Sequence, residues 1–193
     1  MARRNAAPTI LKAAEICLIK GDGDFEMNDV AKAAGVSEGL AYHYYKSKAG
    51  LISAIIEDFF RRYNAVANER MDGDQTWHIR ERRRLMNVIG FLYSDPLAPI
   101  ILGKMSSSGE AAGVEARLRA EMIELSGRNI ADGIKRGFIP SHVNARIAGA
   151  AITGAMRHTF IFAMSQKVRP SAAELADQLW ALIAGALELS AAQ

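Results

Sequence analysis

The chain has 193 residues, half of them hydrophobic and 23% charged, which excludes a disordered chain and leaves enough apolar side chain for a real core. Its net charge of +3, with seven basic and six acidic side chains over residues 1–50, permits a nucleic-acid partner but leaves any attraction to phosphate to the placement of charges. A single cysteine, Cys17, excludes an intrachain disulfide and a zinc cage and fits a reducing, cytoplasmic setting.

Helical periodicity runs throughout. Ile10, Ala14, Cys17 and Leu18 share one face of a first helix that Gly21 stops. Met27, Val30, Ala31 and Ala34 mark a second helix ended by Gly35. Ser37 is a good N-cap for a third, running to about Tyr45. From Lys48 to about Arg70 a longer helix carries a wide apolar stripe that includes Leu51, Ile55, Ile56, Phe59 and Phe60, and Met71-Asp72-Gly73-Asp74 breaks it. Further helices are expected over Trp77–Ser94, Leu97–Lys104, Glu110–Arg136 (closed by Gly137), Asn144–Gln166 and Ser171–Ala191. No segment alternates with period two. The expected fold is all-α: a three-helix domain over residues 1–47, then a larger helical bundle over residues 48–193, about nine helices in all.

The run Asp29-Val30-Ala31-Lys32-Ala33-Ala34-Gly35-Val36-Ser37 reads as a helix-turn-helix. A small residue, Ala31, lies where the helices cross. Gly35 can take the positive φ of the turn, Val36 closes the corner, and Ser37 caps the next helix. The segment that follows, Gly39-Leu40-Ala41-Tyr42-His43-Tyr44-Tyr45-Lys46-Ser47-Lys48-Ala49-Gly50-Leu51, resembles the signature of the tetracycline-repressor (TetR) family. The resemblance covers roughly residues 10–55 and is one of layout only beyond them. It implies a dimeric regulator that binds double-stranded DNA at a palindromic operator and responds to a small molecule.

With Ser37 as cap, Ala41 and Tyr45 face the three-helix core. That leaves Glu38, Gly39, Leu40, Tyr42, His43 and Tyr44 for solvent or a major groove, into which the first residues of such a helix reach deepest. Glu38 can accept from cytosine N4 and Leu40 can touch a thymine methyl. The resemblance assigns Tyr42, Tyr44 and Lys48 to backbone contacts. His43 reads equally as a packing residue, and Arg3 and Arg4 equally as a DNA-reaching arm or a frayed terminus. Two departures from the family pattern stand out. The Ser or Thr that commonly opens the second helix is absent from Phe25-Glu26-Met27-Asn28, leaving Asn28 as the best polar contact there. Ala41 occupies a position that usually holds a larger aliphatic.

In the larger part, small residues recur over Gly149–Ala155, including Gly149 with Thr153, and Leu175, Leu179, Leu182 and Ala186 follow heptad-like spacing. Two such helices from each chain could form a four-helix dimer interface, as the resemblance implies. Candidate lining for an effector pocket is Trp77, Met86, Phe91, Met105, Met122, Phe160 and Met164, a set suited to a largely apolar ligand. Arg157 and His158 interrupt the apolar stretch Ile147–Met164, which argues against a membrane span. They either bind an anionic group or sit in a structural ion pair. Arg80-Glu81-Arg82-Arg83-Arg84 reads as a solvated helix face.

Enzyme readings find no support. None of His43, His78, His142 or His158 has a Glu three residues before it, and no His-Glu-x-x-His occurs. Gly21-Asp22-Gly23-Asp24 completes neither a phosphate loop nor a calcium loop. No cofactor is expected. The rival to a DNA-binding regulator is a ligand-binding or protein-interaction bundle without specific DNA binding, favoured by the near-neutral N-terminal charge.

Overall fold

The computed structural model describes residues 6–69, 76–104 and 109–189. All regular structure among these is helical: α1 (Ala6–Lys20), α2 (Met27–Ala34), α3 (Glu38–Tyr45), α4 (Lys48–Ala67), α5 (Trp77–Ser94), a π-helical turn (Ile100–Lys104), α6 (Gly109–Lys135), α7 (Ala145–Ser165) and α8 (Ala172–Ala186). The chain divides into two compact units, Met1–Arg62 with Pro96–Leu118, and Tyr63–Asp95 with Arg119–Gln193.

In the first unit α1, α2 and α3 pack on one another around Ile10, Ala14, Leu18, Val30 and Ala41, each fully buried or nearly so. Local chemistry sets the corners. Gly35 closes α2 with a φ of 67°, in the left-handed region where a side chain is strained, and the N–H of Val36 then reaches back to the Ala31 carbonyl at 3.0 Å. Such a bond satisfies a carbonyl that the helix end would otherwise orphan. Ser37 caps α3, its hydroxyl accepting from the Leu40 N–H. The first half of α4 adds Leu51, Ile55, Ile56 and Phe59, all buried.

In the second unit α5 runs along α8, with Leu85, Val88, Ile89 and Leu92 on one side and Leu175, Leu179 and Ile183 on the other, all buried. Asn144 caps α7 by accepting from the N–H groups of Arg146 and Ile147. Ser171 and Glu174 form a capping box at the start of α8, and the hydrogen bonds from Ser171 hold the Glu174 carboxyl below its ordinary range.

Two expected boundaries shift. The helix expected over Leu97–Lys104 opens at Ala98 and continues as a π turn over Ile100–Lys104. The last helix ends at Ala186, where Leu187 turns in to a buried position and Glu188 takes a left-handed φ of 51°.

Candidate functional site

Two features stand out, one in each unit. The first is the outer surface of α3. Ala41 is fully buried, and Tyr45 is half-buried, its hydroxyl donating to the Ala7 carbonyl at 2.7 Å. Burial raises the Tyr45 phenol above its ordinary range, so it remains a neutral donor. With that face committed to the core, the others turn outward. Ser37, Glu38, Gly39 and His43 are exposed, Tyr42 keeps 43% of its surface, and Leu40 and Tyr44 are half-buried, with the Tyr44 ring edge-on to His43. Asn28, in the first turn of α2, is also exposed.

Lys48 opens α4 beside this surface, and its ammonium is already engaged. It pairs with Asp24 at 2.6 Å and with Glu26 at 3.8 Å, and it lies 5.6 Å from the centre of the Phe25 ring. The hydrogen bond with Asp24 raises the Lys48 pKa and lowers that of Asp24. Glu26 sits at the N-cap of α2 but makes no cap hydrogen bond. The position that lacks a hydroxyl therefore supplies a carboxylate to Lys48 instead.

The second feature is a cavity of about 490 Å³ wholly within the second unit. Leu85, Val88, Met122, Met156, Trp180 and Ile183 contribute apolar lining. The polar lining is a network centred on Glu81, which is 8% exposed. Its carboxylate accepts from Arg80 Nε at 2.9 Å, from Arg84 Nη1 at 2.6 Å to each oxygen, and from the Asn129 side-chain amide. Asp132 lies 3.4 Å from Arg80 and 3.6 Å from Arg136. Burial opposes the charge on Arg80, but the hydrogen bond and field of Glu81, with Asp132 behind it, outweigh burial and raise its pKa.

This network corrects the reading of Arg80–Arg84 as a solvated face. Arg82 and Arg83 are exposed, whereas Arg80, Glu81 and Arg84 line the cavity. Glu81 and Arg84 share a helical face with Trp77, Leu85 and Val88, so they enter the interior with them. Of the expected pocket residues, Trp77 and Met122 line the cavity, and the Trp77 indole N–H donates to the Asn129 carbonyl at 3.2 Å.

The other pocket candidates are not among its lining residues. Met86 is 42% exposed. Phe91 meets Tyr63 edge-on, and fully buried Phe160 meets Tyr93. Met164 and Arg157 are half-buried, and His158 is exposed with its Nδ1 donating to the Gly154 carbonyl. Met105 lies outside the described residues. The acid–base network and Trp180 are absent from the sequence expectation.

The expected dimer residues also divide. Gly149 is buried against the backbone of Gly127 in α6, and Leu175 and Leu179 are buried against α5, so these three serve the protomer's own packing. Thr153 lines the cavity and donates to the Gly149 carbonyl. Leu182, 60% exposed, and Ala186 face outward. Among the described residues, no group of three or more His, Cys, Asp or Glu side chains is placed to hold a metal ion.

Comparison with known proteins bears on both features. Residues 10–55 match the model of the bacterial regulatory proteins of the tetR family. The HTH-type transcriptional regulator YhgD of Bacillus subtilis (strain 168), itself uncharacterized, is 30% identical over 115 residues, which cover 58% of this chain and 60% of that relative. Among solved structures, FadR from Bacillus subtilis in complex with stearoyl-CoA superposes with a TM-score of 0.76 at 19% identity, over 92% of this chain and 97% of that one. A TetR-like transcriptional regulator from Rhodococcus sp. RHA1 gives a TM-score of 0.72 at 20% identity, over 97% and 98%. The two structures share the fold over nearly the whole chain, and the N-terminal match is specific to the helix-turn-helix. Over residues 10–55 the chain is similar to the helix-turn-helix of the tetR family of bacterial regulatory proteins.

Proposed function

We propose that the protein is a cytoplasmic, homodimeric transcription regulator of the repressor type. It binds a pseudo-palindromic DNA operator through α3 and is released by a small molecule held in the cavity. The observation that carries this reading is the division of α3: Ala41 is buried while Glu38, Gly39, Tyr42 and His43 stay open. A capped helix with a solvent-facing polar and aromatic surface fits a major groove. Glu38 and Leu40 serve base readout in this reading, with Asn28, Tyr42, Tyr44 and Lys48 on the backbone. Exposed apolar side chains on the last two helices, Ile147 and Phe162 of α7 and Leu182 of α8, support a paired state that covers them. The solved FadR relative, crystallised with stearoyl-CoA, supports a ligand role for the cavity. One continuous helix, α4, carries Lys48 at its start and the cavity residues Tyr63, Asn64 and Ala67 near its end. A ligand-induced shift of that helix would act on DNA affinity through the difference in ligand affinity between the two states.

A gel-shift titration on DNA flanking the protein's own gene tests the reading. Specific, salt-sensitive binding is expected. Lys48→Ala should weaken binding to all sequences and lower the salt slope by about one, whereas Leu40→Ala should change which sequence is preferred. Equal affinity for operator and scrambled DNA would favour a bundle that contacts protein instead.

The clamp on Lys48 adds a second expectation. To reach a phosphate, the ammonium must leave Asp24, and the carboxylate then faces a polyanion. Asp24→Asn should therefore tighten DNA binding several-fold at low salt, with the gain shrinking as salt screens it. Because the Asp24 carboxyl is held below its ordinary range, the native clamp persists through mildly acid pH and opens only when the pH falls through that lowered value. Weaker DNA binding by Asp24→Asn would mean that the clamp positions Lys48 for DNA and does not compete with it.

A further inference from the structure

We infer that the cavity takes a monoanionic amphipath, a carboxylic acid on an apolar body; this rests on the cavity being a ligand site, as proposed above. Arg80, Arg84 and Arg128 line the cavity against Glu81 and Asp132, a surplus of one positive charge. Asp132 is also shared with Arg136 outside the lining, so the three guanidinium groups of Arg80, Arg84 and Arg136 divide two carboxylates.

Hydrogen bonding points the same way. The Glu81 carboxylate is saturated by Arg80, Arg84 and Asn129, so it has little left to offer a cationic ligand. Arg84, by contrast, has a buried Nε–H with no acceptor, and it lines the cavity. A buried guanidinium donor without a partner is costly, and an anionic headgroup supplies the missing acceptor. A second unmatched atom on the wall, Asn64 Oδ1, can accept a hydrogen bond from a hydroxyl or amide on the same ligand. The rest of the wall, with Leu85, Val88, Met122, Met156, Trp180 and Ile183, suits an acyl or aromatic body. The volume of about 490 Å³ falls in the range of sites for small organic ligands.

The protein carries its own reporter. It has two tryptophans, and both, Trp77 and Trp180, line this cavity. Intrinsic fluorescence of the full-length protein is titrated with decanoate, decanol and decyltrimethylammonium, three ligands with the same tail and different heads. Decanoate should give a saturable change, with decanol about tenfold weaker and the cation weaker still. Arg84→Gln should cost decanoate about tenfold and leave decanol within about twofold. In case that variant folds poorly, Glu81→Gln provides an opposite sign: it removes the competing negative charge and should tighten decanoate.

Equal binding of decanoate and decanol, preference for the cation, weaker decanoate binding by Glu81→Gln, or no response to any of the three would each overturn the inference. The regulator reading fails separately. Decanoate uptake with no change in DNA affinity removes the effector role and leaves the ligand class standing, and DNA binding without decanoate uptake does the reverse.

Discussion

Glu81→Ala is expected to lower stability by about 3 kcal/mol, the lower end of the cost of breaking a buried ion pair, and to lower the thermal midpoint by about 6–12 °C for a chain of this length. The Glu81 carboxylate pairs with Arg84 through both its oxygens and is the nearer of two acidic partners for Arg80. Removing it leaves two guanidinium groups facing each other across a hole. Both arginines keep 23% of their side-chain surface in contact with solvent, and water reaching them is why the lower end applies. Glu81→Gln keeps an acceptor for Arg84 and fills the same volume, so it should cost only about 1 kcal/mol. Urea unfolding followed by far-ultraviolet circular dichroism separates the two variants, with the denaturant slope checking that the unfolding reaction itself has not changed. If both variants unfold with the parent, the desolvation of the cluster cancels its bonds, and Glu81 adds nothing net to stability.

Why the helix-turn-helix could be read from the sequence and the cavity could not is a matter of range. The turn at Gly35, the cap at Ser37 and the core position at Ala41 are each fixed by chemistry within four or five residues, and the structure places all three where that chemistry requires. Glu81 gives no such local sign. A run of alternating charge reads as a solvated face, and its true surroundings depend on Asn129 and Asp132, 48 and 51 positions further along. A clue was nonetheless present: Trp77, Glu81, Arg84, Leu85 and Val88 fall on one helical stripe, so two charged residues occupy apolar positions. The last helix shows the converse. Heptad spacing joins Leu175 and Leu179 to Leu182 and Ala186, but the buried stripe steps every fourth residue through Ile183 and Leu187, a row that winds obliquely because each step of four advances it by about 40° around the helix. That shift turns Leu182 and Ala186 outward.

Gly149 offers the sharpest test of which small residues serve the protomer. Glycine to alanine inside a helix normally stabilises by about 0.5–1 kcal/mol, yet Gly149→Ala is expected to destabilise by about 1–3 kcal/mol, and Gly149→Leu by more. A methyl group at this position would lie 2.7 Å from the backbone nitrogen of Gly127 and 3.0 Å from its Cα. Both belong to the α6 backbone, which cannot swing aside as a side-chain tip can, so α6 and α7 must part and the contacts around them loosen. Gly113 in α6, where an added methyl meets nothing within 4 Å, is the control, and Gly113→Ala should show the ordinary gain. Leu182→Glu, on the exposed side of α8, should instead lower the association state seen by sedimentation and leave the protomer helical. A Gly149→Ala variant that keeps its unfolding midpoint but sediments as a smaller species would return this glycine to the interface between subunits.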